Sequence, residues 1–446
     1  MERALVFVFF IISEPGLNKA GVRSPLPCGK MALSNCDGRH FLSGPLPGGN
    51  AMADILSYLD WRGDLSFKER PFNDVDNLIL SELAYLDMTG IVPGPGEEGI
   101  MALRDVYPAY VQMGYDQSCM PNDPKYLASA AARSQRFGEI RLWRYVDEID
   151  RERQIQFAAV TCFLPDGSIY VAYRGTDHSL VGWREDFNTS FMNETPGQFL
   201  AASYLNDVMA VTQGPVMVGG HSKGGNLAVY AAAFCDVAYR GRISIVYSND
   251  GPGFNEKITE TPEYRAVLPK VQLTIPESSV IGIIMDNKHA SRIVRCSSSN
   301  WVEQHNPYSW QVNYQGFELA EAQSVSSRFL NSALDQWISS LTDEEKVIFV
   351  NAVFDSMEAS GAATLEDLIE DKRASYNAIV KAARELDPEI QKSVVETLKK
   401  LGRAGTDVAL GDAKKAFEQF RETYLRPLKG LSRTALPEKH EKDASV

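Results

Sequence analysis

The chain has 446 residues and a formal net charge of -13 at pH 7, with 44% hydrophobic and 23% charged residues. This composition is that of an ordinary globular protein, long enough for one large domain and an appendage. The negative charge argues against nucleic acid or an anionic membrane as a partner bound through bulk electrostatics. The six cysteines contain no CxxC pair, so we expect no zinc site, no disulfide framework and a reducing, cytoplasmic location.

The first 51 residues differ from the rest of the chain. An apolar run over residues 4–12 is too short to span a bilayer. The segment before it has no net side-chain charge and no A-x-A site follows it, which disfavours a signal peptide; a true one would make the protein secreted. Glycine, proline and serine are abundant over residues 16–50. We therefore expect residues 1–51 to be a disordered or mis-started extension, with a domain beginning at Met52.

Helical and strand patterns alternate from Met52 to Gly316. Apolar spacing predicts a helix over 74–86, with Asn73 or Asp74 as its N-cap. Other helices are predicted over 126–137, 197–211 and 227–234, and strands over 140–146, 155–163, 168–173, 215–218, 243–247, 271–275 and 293–294. A polar loop is expected after Asp177. This alternation predicts an α/β fold for residues 52–316, with a mostly parallel sheet and helices on both faces.

The C-terminal region has a purely helical pattern. Apolar residues over 329–341 form one stripe, a capping box at Thr342 begins a second helix, and Pro388 begins a third. We expect residues 317–430 to form an all-helical appendage that offers a surface to a protein partner, and residues 431–446 to form a disordered tail.

One stretch of the chain predicts a strand, a sharp turn and a helix in succession. Apolar Pro215 to Val218 precedes Gly220-His221-Ser222-Lys223-Gly224, and a helix-forming run begins at Leu227. Glycines on either side suit a serine on a strained strand-to-helix turn, because larger side chains would collide with neighbouring backbone. The G-x-S-x-G pattern predicts Ser222 as a nucleophile, with the side chain of Lys223 exposed beside it.

A serine nucleophile requires a base and an orienting acid. On turns of this kind, the acid and then the histidine follow the serine in the chain. His305 lies beyond the last sheet segment, in an expected loop, and is the predicted base, whereas His289 is expected in an exposed turn. Asp250 follows the next strand and is the first candidate acid. Glu277 and Asp286 also satisfy the chain order.

Two donors are expected to form an oxyanion hole. One is the backbone N–H of Lys223, immediately after the nucleophile. The other is expected from the loop after an early strand, where both the hydroxyl and the amide of Thr176 are available. We expect Arg174 to brace this loop by pairing with Asp186.

Three ordered motifs carry a family resemblance. They are Tyr173-Arg174-Gly175-Thr176, the stretch from Gly220 to Ala228, and Asp250-Gly251-Pro252-Gly253-Phe254. Together they resemble class 3 lipases of the α/β-hydrolase superfamily and, more closely, a bacterial lipase-like family labelled a domain of unknown function. The resemblance covers about Met52 to Trp310.

The resemblance implies an α/β-hydrolase fold, cleavage of glycerolipid esters, and no cofactor. It also implies Ser222 as the nucleophile and Thr176 as an oxyanion residue. In those lipases the triad aspartate follows the next strand, where this chain has Glu277-Ser278-Ser279-Val280. Asp250, Glu277 and Asp286 therefore stay open as the acid.

The sequence thus predicts a serine hydrolase of the esterase or lipase type, which forms an acyl-enzyme on Ser222 with a small-molecule or lipid ester. The turn specifies the nucleophile and not the leaving group, so a thioesterase or a peptidase is an alternative. A further alternative is a non-catalytic, hydrolase-like interaction protein that binds its partner through the C-terminal helices.

Overall fold

The computed structural model describes residues 53–407, apart from 115–123, 178, 190–191, 193, 286–290, 300 and parts of 365–384. The described residues up to Ser327 form one compact unit, and those from Arg328 onward form another. The expected extension at 1–51 and tail at 431–446 lie outside the described residues, as do Asp286 and His289. The domain limits 52–316 and 317–430 stay predictions.

An eight-stranded sheet, in which the strands follow one another in chain order, is the centre of the larger unit. The strands are β1 (Met101–Ala102), β2 (Arg141–Asp150), β3 (Ile155–Phe163), β4 (Ile169–Tyr173), β5 (Val216–His221), β6 (Ile243–Asn249), β7 (Val271–Pro276) and β8 (Ser291–Val294). Neighbours from β1 to β4 are antiparallel, and neighbours from β4 to β8 are parallel. The predicted α/β class with a mostly parallel sheet is confirmed.

Helices cover both faces of this sheet. They are α1 (Ile55–Arg62), α2 (Asp74–Leu83), α3 (Leu103–Gln112), α4 (Pro124–Arg133), α5 (Leu180–Asn188), α6 (Pro196–Val211), α7 (Lys223–Phe234), α8 (Val237–Arg240), α9 (Glu256–Thr259), α10 (Pro262–Val267) and α11 (Trp301–His305). Alternate side chains of β4 enter different cores, because successive strand residues point to opposite faces. Tyr170 and Ala172 pack in the core that contains Leu78 of α2, whereas Val171 packs in the core that contains Leu227 of α7.

Predicted and observed elements differ most between β4 and α6. The expected polar loop after Asp177 is the helix α5, which the Ser179 hydroxyl caps by accepting from the Gly182 N–H at 3.1 Å. The loop prediction was wrong because polar residues such as Glu185 are buried there and bind partners distant in the chain. The helix predicted over 126–137 ends at Arg133, and α7 begins at Lys223, earlier than expected.

The C-terminal helices agree closely with their sequence patterns. They are α12 (Val325–Ser339), α13 (Asp343–Glu358) and α14 (Pro388–Asp407). A small pair of strands, β9 (Val312–Asn313) and β10 (Gly316–Phe317), precedes them in the chain. Thr342 and Glu345 form the predicted capping box of α13. Glu345 also pairs with Lys400 of α14 at 2.7 Å. None of the described helices combines the length and the apolar character needed to cross a bilayer.

A buried ion pair ties α2 to the segment after α4. Arg136 Nε donates to Asp76 Oδ1 at 2.7 Å, and both side chains are inaccessible to solvent. Asp76 also accepts from the Tyr58 hydroxyl at 3.1 Å. Because the two charges satisfy each other, removing one leaves the other buried without its counter-ion.

We predict that Asp76→Ala lowers the free energy of unfolding by about 3–5 kcal/mol, because Arg136 stays buried without its carboxylate. Urea denaturation at pH 7 measures this change. The matched control is Glu139→Ala, which removes an exposed pair with Arg104 and should change stability by less than about 1 kcal/mol. Equal losses in the two variants would contradict the assignment of Asp76 as a core ion-pair partner.

Candidate active site

Ser222 occupies the turn between β5 and α7. Its backbone has φ 57° and ψ -131°, in a region that non-glycine residues rarely adopt, and its N–H donates to the Asn249 carbonyl at 2.9 Å. The flanking glycines permit this close turn. A Cβ built on Gly220 would lie 2.3 Å from the Gly224 carbonyl carbon, and one on Gly224 would lie 2.1 Å from the Tyr173 backbone carbonyl oxygen. The predicted strand, turn and helix are therefore present.

Ser222, His305 and Asp250 form a continuous hydrogen-bonded chain. His305 Nε2 lies 3.0 Å from Ser222 Oγ, and His305 Nδ1 lies 2.7 Å from Asp250 Oδ2. His305 ends the short helix α11, where the sequence predicted a loop. The structure thus brings together the serine, the favoured histidine and the favoured acid, in the arrangement that proton transfer from the serine requires.

Asp250 is held from both sides. It is completely buried, its own backbone has φ 49°, and its N–H donates to the Thr274 carbonyl at 2.7 Å. Its second carboxylate oxygen, Oδ1, accepts from the Gly282 N–H at 3.1 Å and from the Ser279 hydroxyl. These bonds stabilise the charged carboxylate and leave Oδ2 directed at His305.

The other candidate acids do not enter this chain. Glu277 is half-buried and accepts from the Cys296 N–H at 3.4 Å, and the structure places it in no contact with the His305 ring. Asp286 lies outside the described residues, as does the alternative histidine, His289.

Thr176 lies in the segment after β4, and its hydroxyl donates to Asp186 of α5. Burial raises the pKa of Asp186 to about 6, while the charge of Lys223 and the Thr176 hydrogen bond oppose that rise. The expected pairing of Arg174 with Asp186 was wrong. Arg174 instead donates to both oxygens of Asp147 on β2, at 2.6 and 2.7 Å. Asp147 pairs with Ala158 of β3, whose carbonyl accepts from the Arg174 N–H, so the sheet brings Asp147 beside Arg174.

The Lys223 side chain, expected to be exposed, is only 2% accessible. Its ammonium group donates to the Gln156 carbonyl at 2.8 Å, to the Gln156 side chain, and to Glu185 at 3.0 Å. Exposure was the wrong expectation because its counter-ion lies on α5, the helix that the sequence did not reveal. Consecutive carboxylates of α5, Glu185 and Asp186, therefore hold Lys223 and Thr176, the two expected oxyanion residues.

A second buried pair, His221 and Glu82, lies next to His305 and was not predicted from the sequence. His221 Nε2 is 2.9 Å from the backbone oxygen of His305, and its Nδ1 is 3.3 Å from Glu82 Oε1. One signal was available: Glu82 lies four residues after Leu78 and four before Leu86, on the apolar stripe of α2. A carboxyl group on such a stripe is buried by the packing of its neighbours.

Comparison with known proteins gives the chain a family. A family model described as Mbeg1-like matches residues 131–355, just over half of the chain. The chain belongs to the Mbeg1-like family. This family is lipase-like, so the predicted lipase-like relation is confirmed, while membership of class 3 stays a prediction. The match includes all three residues of the hydrogen-bonded chain and the expected oxyanion residues.

Solved structures add little to the Mbeg1-like assignment. The native Rhizomucor miehei lipase propeptide complex is 16% identical, with 48% of this chain and 70% of that chain covered and a TM-score of 0.28. A deletion mutant of that complex is also 16% identical, with 50% and 73% covered and a TM-score of 0.29. Similarity this weak gives no information about the site. No curated protein matches the chain.

We predict that Gly224→Ala lowers the free energy of unfolding by about 3 kcal/mol or more, because the added methyl group meets a backbone oxygen that cannot move away. Thermal unfolding measures the loss. Gly241→Ala is the matched control: a Cβ there has no neighbour within 4 Å, so we expect a change of less than about 0.5 kcal/mol. A Gly224→Ala protein as stable as this control would disprove the tight contact with Tyr173.

Proposed function

We propose that the protein is a serine hydrolase with an α/β-hydrolase fold, which cleaves carboxylic esters through an acyl-enzyme on Ser222. The observation that carries this proposal is the pair of hydrogen bonds that joins Ser222 to His305 and His305 to Asp250. Membership of a lipase-like family supports the same chemistry.

Each of the three hydrogen-bonded residues has a role that its geometry suits. An ionised Asp250 only accepts, so His305 carries its proton on Nδ1 and presents a lone pair at Nε2 to the serine hydroxyl. As Ser222 Oγ attacks the ester carbonyl carbon, His305 takes the serine proton, and Asp250 stabilises the imidazolium that forms. His305 then gives this proton to the departing alcohol.

Hydrolysis of the acyl-enzyme repeats these steps with water. His305 accepts a proton from the water that attacks the acyl carbonyl, the bond to Ser222 Oγ breaks, and the proton returns to the serine. The products are a carboxylic acid and the free enzyme, so the proposed reaction requires no cofactor.

Negative charge on the tetrahedral intermediate would be stabilised beside the start of α7. The first N–H groups of a helix lack intrahelical acceptors, which makes the Lys223 N–H available to an oxyanion. Thr176 is the proposed second donor. Since its hydroxyl donates to Asp186, its amide is the group that we assign to the oxyanion.

We predict that a fluorophosphonate probe labels Ser222 in the folded protein and does not label Ser222→Ala. Labelling requires a serine activated by its histidine, so His305→Ala should lower the labelling rate by about a thousandfold or more. Peptide mass spectrometry locates the adduct. An unlabelled Ser222 in folded protein would exclude the proposed acyl-enzyme and favour a non-catalytic, hydrolase-like protein.

We predict that Asp250→Asn lowers kcat by about ten-thousandfold on a p-nitrophenyl ester, because the amide disfavours the histidine tautomer that accepts the serine proton. Glu277→Gln is the control and should keep the parent rate, because Glu277 does not contact His305. The reverse result would assign the acid to Glu277.

Identifying the leaving group requires a comparison of substrates. Rates on p-nitrophenyl esters of increasing acyl length, on acyl thioesters and on peptides distinguish an esterase from a thioesterase or a peptidase. A kcat/KM that is highest for thioesters or peptides would replace the ester assignment and keep Ser222 as the nucleophile.

A further inference from the structure

A buried carboxyl group lies next to a second histidine, which in turn contacts the backbone of His305. Glu82 is 4% exposed, and its Oε1 lies 3.3 Å from His221 Nδ1. His221 Nε2 lies 2.9 Å from the His305 backbone oxygen, and the two imidazole rings are 4.7 Å apart. Two histidines are therefore linked in series between Glu82 and Ser222.

The proton positions in this chain follow from its acceptors. A carbonyl oxygen only accepts, so His221 must carry a proton on Nε2 to bond His305. Burial lowers the pKa of His221 well below its usual value, so the ring is neutral and Nδ1 has a bare lone pair. A carboxylate beside that lone pair would repel it, whereas a carboxylic acid would donate to it.

Glu82 meets this requirement near neutral pH. Burial raises its pKa from 4.5 to about 8, so the acid form dominates at pH 7. Glu82 Oε1 is buried and makes no hydrogen bond to any described residue in this conformation, although it lies 3.3 Å from His221 Nδ1. The protonated Glu82 carboxyl is therefore an unpaired donor next to His221 Nδ1, which otherwise meets the Tyr85 hydroxyl at 3.3 Å.

The neighbouring ionisable groups do not replace it. The Tyr85 hydroxyl also lies 3.3 Å from His221 Nδ1, but burial raises its pKa well above 10, so it does not titrate near pH 8. Arg174 and Asp186 act electrostatically on Tyr85, and His305 acts on His221. Of the groups that face this pair, Glu82 is the one expected to lose its proton between pH 7 and pH 9.

We propose that Glu82 is a positioning residue: as a carboxylic acid it donates to His221 Nδ1, which keeps the His221 Nε2–H on the His305 carbonyl and holds the His305 ring against Ser222. This inference rests on the proposed hydrolase function. Glu82 contacts neither substrate nor Ser222, so its effect passes through His221.

Loss of the Glu82 proton would break this arrangement. The carboxylate requires a donor at His221 Nδ1, so the imidazole proton moves there and Nε2 then presents a lone pair to the His305 oxygen. Two acceptors face each other, and His305 loses its support. We therefore expect kcat/KM to fall with a midpoint near pH 8.

Glu82→Gln is the decisive variant, because its amide N–H can donate to His221 Nδ1 at any pH. We expect kcat/KM at pH 7 within about threefold of the parent, and no fall through pH 9. Glu82→Leu removes the donor and should lose about tenfold at pH 7. A Glu82→Gln enzyme that keeps the alkaline midpoint would overturn the proposal.

Tyr85→Phe is the matched control at the same nitrogen. It removes the rival hydroxyl and leaves the carboxyl, so the alkaline midpoint near pH 8 should persist. Loss of that midpoint in Tyr85→Phe and its retention in Glu82→Gln would assign the titration to Tyr85 and not to Glu82.

Infrared difference spectra separate this inference from the proposed function. The parent should show a carboxylic-acid carbonyl band that disappears with a midpoint near pH 8, and Glu82→Gln should lack it. If the band behaves so but Ser222 is not labelled by a fluorophosphonate, the hydrogen-bonded chain stands and the hydrolase function fails. If Ser222 is labelled but the band is absent, the hydrolase function stands and the role of Glu82 is wrong.

Discussion

The backbone conformation of Ser222 is the constraint on which the site depends. A non-glycine residue in this conformation costs about 1–3 kcal/mol, and it persists only where the surroundings determine it. Here β5 pairs with β4 on one side and with β6 on the other, and the Ser222 N–H is held by Asn249 at the end of β6. The sheet therefore supports the strain, and the strain turns the serine side chain away from the sheet toward His305.

The parallel part of the sheet explains why the other residues meet Ser222. Parallel strands end at the same edge, so the segments after β4, β5 and β6 bring Thr176, Ser222 and Asp250 to one place. His305 reaches them from α11, after β8. Because α5 carries Glu185 and Asp186 next to each other, one helix then fixes both Lys223 and Thr176.

The sequence sufficed for features that depend on local pattern. Apolar runs predicted the central strands to within a few residues. The motif with its chain order indicated Ser222 and His305, and it put Asp250 first among three candidate acids. The sequence did not suffice to predict the contacts of polar groups whose partners are distant in the chain. Lys223 and Glu185 are far apart in the chain, so neither residue type nor periodicity indicated that both are buried. Glu82 shows the same limit, because a pattern gives the face on which a residue lies but not the group that it meets.

The chain-ordered sheet also bears on how the molecule folds. Since each strand lies beside its predecessor, pairing requires the closure of loops between successive elements only, which keeps the entropy cost of each addition small. A sheet of this order can grow from one edge to the other as the chain does. The turn at Ser222 requires only β5 and β6, which follow each other in the chain, whereas His305 comes after β8. The support of the serine and the group that would activate it therefore belong to separate parts of the sequence.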